Sequence, residues 1–121
     1  MDLERAFVAA GGLLQAGPDP VGFNGNIPGF GDQREIELLV EAGFAPVEAI
    51  RIATLNGATF LGRQDRIGSI AVGRNADLVV VKGDPAAHIA DIENVEIVFK
   101  DGVGYDTSKL LASVEGRYGA Y

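Results

Sequence analysis

The sequence predicts an α+β chain, with helices first and a small β unit second. Three observations predict it. Ile36, Leu39 and Val40, and then Ala49, Ile50 and Ala53, recur at helical spacing. Beyond Gly62 the texture changes to short β-type runs broken by Gly or Asp. Asp101-Gly102 separates two of those runs as a hairpin turn would. The switch near Gly62 divides the chain into residues 1–62 and 63–121, and no internal repeat or low-complexity tract crosses it.

Residues 3–12 form a short, Ala-rich amphipathic segment ending at Gly11-Gly12, which suits a helix C-terminus. Leu13-Leu14-Gln15-Ala16-Gly17 is short and mostly apolar, as a buried parallel strand is, and it empties into a loop over residues 18–31. That loop holds Pro18, Pro20 and Pro28, four glycines and two phenylalanines, and irregular stretches of this length are more often binding loops than filler. Asp32 is placed to cap the next helix, with Glu35 three residues on as the acidic partner of a capping box. Gly43 stands where that helix needs a left-handed exit, and Pro46 reopens a helix at its first turn. Asn56-Gly57 reads as a stop or kink, and a further turn over 58–61 closes at Gly62. The β-type runs are Ser69-Ile70-Ala71, residues 76–81 and residues 95–100, the last paired through Asp101-Gly102 with Val103-Gly104-Tyr105. A final helix is expected from Ser108 to about Gly116.

Composition narrows the function. The 121 residues are 47% hydrophobic, enough for one modest core. Seventeen acidic against ten basic side chains give a formal charge of −7, which argues against nucleic-acid or anionic-membrane partners. With no cysteine, disulfides, thiolate metal sites and cysteine nucleophiles are excluded. The single histidine, His88, falls between two expected strands and reads as a surface residue. No apolar run approaches a bilayer span, and Met1-Asp2-Leu3-Glu4-Arg5 lacks the order of a signal peptide, so a cytoplasmic location is the expectation. The Gly-rich loop has neither a Gly-Lys-Ser/Thr ending nor a Gly-x-Gly-x-x-Gly opening a helix, which leaves nucleotide binding without support. Glu35, Glu37 and Glu41 read as a solvated helix face.

Several motifs in order resemble the end of the amidohydrolase superfamily, in particular its imidazolonepropionase-like and prolidase-like branches. They are Ala16-Gly17-Pro18-Asp19-Pro20, Glu37-Leu38-Leu39-Val40-Glu41-Ala42-Gly43-Phe44, Ala53-Thr54-Leu55-Asn56-Gly57-Ala58, the run from Ile67-Gly68-Ser69 through Gly73-Arg74-Asn75-Ala76-Asp77 to Val81, then Gly83-Asp84-Pro85 and Lys100-Asp101-Gly102. The resemblance implies a C-terminal piece of a (β/α)₈ barrel enzyme: residues 13–17 as the last barrel strand, 18–31 as its active-site loop, and 69–105 as part of a small β-sandwich outside the barrel. Barrel enzymes place their chemistry at the C-terminal strand ends, where Asp19 falls.

By that resemblance Asp19 binds a divalent metal, zinc being the expected ion, and takes a proton from the water that attacks an amide, cyclic amide or dipeptide C–N bond. Read locally, Asp19 between two prolines also suits a simple turn cap. A hydrolytic zinc takes three protein ligands, and the family's other ligands lie on earlier strands, so the chain alone is expected to bind no metal and to be inactive. Two positions depart from many relatives: Pro18 replaces a Thr, and Gln33 replaces a His. Gln33 can hydrogen-bond a substrate but cannot act as a general base. Arg34 is a candidate for a substrate carboxylate, or a solvated charge on a first helical turn. Asn24 and Asn26 are candidates for substrate contacts that turn formation explains equally well. The alternative function is a non-catalytic interaction module, because one barrel strand and part of a sandwich leave apolar faces and strand edges that drive homo-oligomer formation.

Overall fold

The computed structural model describes residues 2–19 and 29–117. Helix α1 spans Asp2–Ala9, α2 Gly31–Glu41 and α3 Pro46–Arg51; α3 runs without a break through a π turn, Ile52–Asn56, into α4, Gly57–Phe60. Strands β1 (Leu78–Val81), β2 (Val95–Lys100) and β3 (Val103–Asp106) follow, with a 3₁₀ turn at Ile89–Glu93 before β2 and helix α5 (Thr107–Ser113) after β3. No helix among the described residues is long and apolar enough to cross a membrane.

Local chemistry sets many of these boundaries. Gly43 leaves α2 at φ +98°, and Pro46 opens α3. Asp101 and Gly102 both have positive φ, 49° and 82°, which is the backbone that a two-residue hairpin requires. The Asp106 carboxylate accepts the Ser108 and Lys109 N–H groups and so starts α5.

Four expectations are corrected. Residues 12–19 carry no secondary structure: a strand exists only through its ladder, and the three strands of the sheet all lie between residues 78 and 106. Ser69-Ile70-Ala71 is irregular for the same reason, and Ile70 and Val72 are 88% and 107% exposed with nothing laid over them. Asp32 is no cap, because α2 begins one residue earlier at Gly31 with Phe30 in the capping position and no side-chain cap bond. Asn56-Gly57 does not stop the helix; the chain widens into the π turn and continues with Gly57 at helical φ and ψ. There the Thr54 hydroxyl donates to the Ile50 carbonyl at 2.7 Å, where the ordinary helical ladder gives way.

The sheet is antiparallel in the order β1-β2-β3, with Leu78 opposite Phe99, Val79 opposite Val98 and Val98 opposite Tyr105. Two of the motifs are bound to each other across this unit. The Asp77 carboxylate accepts the Asp101 N–H at 2.8 Å and holds the Lys100 ammonium at 2.9 Å, while the Gly102 N–H donates to the Ala76 carbonyl at 3.0 Å. The helices meet this half where α2 packs against the 3₁₀ turn and at Gly68. At φ +86° it lies so close to α4 that a Cβ there would sit 2.5 Å from the Ala58 Cβ. Among the described residues the buried hydrophobic ones are Phe44, Ala49, Ile52 and Ala58, in the helical half.

Candidate functional site

Asp19 lies in the irregular stretch that follows α1 and is exposed. Its approach is set by the helices behind it. The Asn56 side-chain N–H, at the end of the π turn, donates to the Leu14 carbonyl at 2.7 Å. The Gly17 N–H engages the carboxylate of Glu35 from the second turn of α2. Glu35 is half-buried, and this burial raises its pKa above the usual carboxylate value; the charge of Asp32 pushes the same way and the Gly17 N–H opposes it.

The other nominated residues are dispersed. Asn24 and Asn26 lie outside the described residues. Gln33 is half-buried on α2, and neither its Oε1 nor Oε2 of Glu35 has a hydrogen-bond partner among the described residues. Arg34 is half-exposed and pairs with Glu37 and Glu41 at 2.8 Å each, so both carboxylates share one guanidinium. Those partners hold the Arg34 pKa above its ordinary value, Glu37 most and Glu41 next. The acidic residues of α2 are therefore not a uniform solvated face: the Glu37 side chain is only 13% exposed, and Glu35 turns to the Asp19 segment. His88 is exposed and its backbone N–H donates to the Asp84 carbonyl. Asp84 itself accepts the Ala86 N–H, which makes Gly83-Asp84-Pro85 a turn. Sequence reasoning gave no role at the site to Asn56 or Glu35, whose partners lie far away in sequence.

Among the described residues no three His, Asp or Glu side chains come together to hold a cation. A hydrolytic zinc needs three protein ligands. The described residues therefore do not fit a complete centre.

The amidohydrolase family model matches residues 25–104. An imidazolonepropionase of Micrococcus luteus is 54% identical over 43 residues, which is 36% of this chain and 11% of that protein. An adenine deaminase of Desulfatibacillum aliphaticivorans is 42% identical over 66 residues, 54% of this chain and 11% of its own length. A prolidase crystallised with N-methylphosphonate-L-proline superposes with a TM-score of 0.76 at 29% identity, over 87% of this chain and 26% of that one. The chain thus spans about a tenth of those two curated relatives, and the residues matched by the family model include α2 to α4, the Gly68 contact and the Asp77–hairpin lock described above. On these grounds, the chain belongs to the amidohydrolase family.

Proposed function

We propose that this chain is the C-terminal part of a metal-dependent amidohydrolase that cleaves C–N bonds in an amide, cyclic amide or dipeptide. Asp19 supplies one carboxylate to a divalent-cation site, zinc being the ion expected, whose remaining ligands come from outside the described residues. The observation that carries this reading is the family match, joined to the placement of an exposed carboxylate two residues beyond the last of two points, Leu14 and Gly17, at which the helices hold the chain. A carboxylate so placed can accept a proton from an attacking water and return it to the departing amine. Gln33, Arg34, Asn24 and Asn26 are the residues proposed to contact substrate, with Arg34 suited to a carboxylate if it leaves Glu37 and Glu41.

A second reading has its own support. Val79 and Val103 on the sheet are 58% and 57% exposed, and Ile70 and Val72 are more so, which suits a module that associates with copies of itself. Elemental metal analysis of the purified chain, beside Asp19→Ala and a light-scattering mass, separates the two. Stoichiometric metal that disappears in Asp19→Ala supports the cation site; metal retained in that variant overturns the role of Asp19. A metal-free oligomer supports the module, and a stable dilute monomer sinks it.

A further inference from the structure

Residues 13–18 make no backbone–backbone hydrogen bond with any described residue, yet they carry the chain to Asp19. Side chains do the holding. Asn56 reaches across 42 residues of sequence to donate to the Leu14 carbonyl at 2.7 Å, in a part-buried position that shields the bond from competing water. Asp19 lies five positions after Leu14, and Glu35 engages the backbone again at Gly17.

The π turn explains how Asn56 comes to be aimed there. An i→i+5 turn takes one more residue than an α turn, so every side chain after it is rotated about 100° from the direction an uninterrupted α-helix would give it. Ile52 at the start of the turn is buried, and Asn56 at its end is half-buried.

From this geometry we infer that Asn56 is a positioning residue: through the Leu14 carbonyl it fixes where the Asp19 carboxylate stands. This rests on the proposed role of Asp19, but the contact itself does not. Misplacing a reacting group by about 1 Å can cost on the order of 10²-fold in rate, and losing a residue that orients a metal ligand typically costs about 10–100-fold in metal affinity or activity.

The test has two arms. In the isotope-labelled wild-type chain, a scalar coupling across the hydrogen bond between the Asn56 side-chain nitrogen and the Leu14 carbonyl carbon is expected; its absence overturns the inference without any variant. Asn56→Asp keeps the shape but removes the donor, and in it the Leu14 carbonyl shift and the amide exchange of residues 13–19 are expected to change while α3 and α4 keep their shifts. An unchanged segment in a folded Asn56→Asp chain overturns it. The second arm reads metal. If the wild type binds zinc through Asp19, Asn56→Asp weakens binding about 10–100-fold, short of the loss in Asp19→Ala, and equal affinity in Asn56→Asp and wild type refutes positioning. If the wild type binds none, the remaining ligands lie outside this chain, and the spectroscopic arm alone decides the role of Asn56.

Discussion

The buried apolar side chains among the described residues all lie in the helical half of the chain, which also exposes Leu3, Val47, Phe60 and Leu61, whereas the sheet half buries none. Ala49, Ile52 and Ala58 on the helices are 0%, 2% and 4% exposed, and Phe44 between them 6%. In the sheet Val79, Val103 and Tyr105 are 58%, 57% and 43% exposed, and Ile97 is 37% exposed. The difference is one of layers. Helices in sequence fold back on one another and make a core from local contacts, whereas a three-stranded sheet has two faces and needs a second layer for each. Here α5 packs against β2 and β3, and much of the sheet stays open. The chain covers about a quarter of the superposed prolidase.

The largest expected effect follows from this contrast. Ile52→Ala empties a site that is 2% exposed and is expected to cost about 2–5 kcal/mol, read as a lower denaturant midpoint at constant slope. Val79→Thr, on a side chain 58% exposed, should change stability by no more than about 0.5 kcal/mol. A loss at Val79 comparable to that at Ile52 would break the comparison and mean that the sheet face is covered in solution, by a second copy of the chain in the simplest case.

The seam between the halves gives the next effect. Gly68 combines φ +86° with a Cβ position 2.5 Å from the Ala58 Cβ and 3.1 Å from the Leu55 Cα. Gly68→Ala therefore meets both a left-handed backbone and a steric overlap, and about 1–3 kcal/mol of destabilisation is expected. Ala58→Gly removes the overlap but not the backbone strain. A double-mutant cycle should show partial rescue, and strict additivity would mean that the contact is not what couples helix to loop.

How much of this was legible in the sequence follows the range of the interactions. Gly43, Pro46 and Asp101-Gly102 act on their own backbone, and the structure puts them where such residues belong. The strands over 13–17 and 69–71 were not legible, because a strand needs a neighbour and a short apolar run does not say whether one is present. The capping box failed by one residue: Asp32 and Glu35 have the spacing, but the helix starts at Gly31, which frees Glu35 to face Gly17. At the site, Asp19 stood out through its motif, while Asn56 looked like punctuation because its partner lies 42 residues upstream. The π turn, at whose start Ile52 is buried, had no local signature beyond the Asn-Gly pair.

The smallest effect is electrostatic and separates the halves by pH. Asp77 is held below its ordinary pKa, first by the Asp101 N–H and then by Lys100, so it binds a proton less tightly when folded than when unfolded. Its contribution is present above the ordinary carboxylate range and is lost as pH falls through that range toward the lowered value. Glu35 has the opposite sign: raised by burial, it binds its proton more tightly when folded, so the penalty for ionising it grows as pH rises through the carboxylate range and is complete above its raised value. Acidification should thus loosen the hairpin from Asp77 while relieving α2 at Glu35. In an NMR titration the Asp101 amide is expected to move at a pH below that of an unpaired aspartate, and to lose that step in Asp77→Asn; the Gly17 amide should titrate above the usual carboxylate range and lose its step in Glu35→Gln. If both amides move together at one pH, the acid transition is global unfolding, and the two halves do not respond to protons independently.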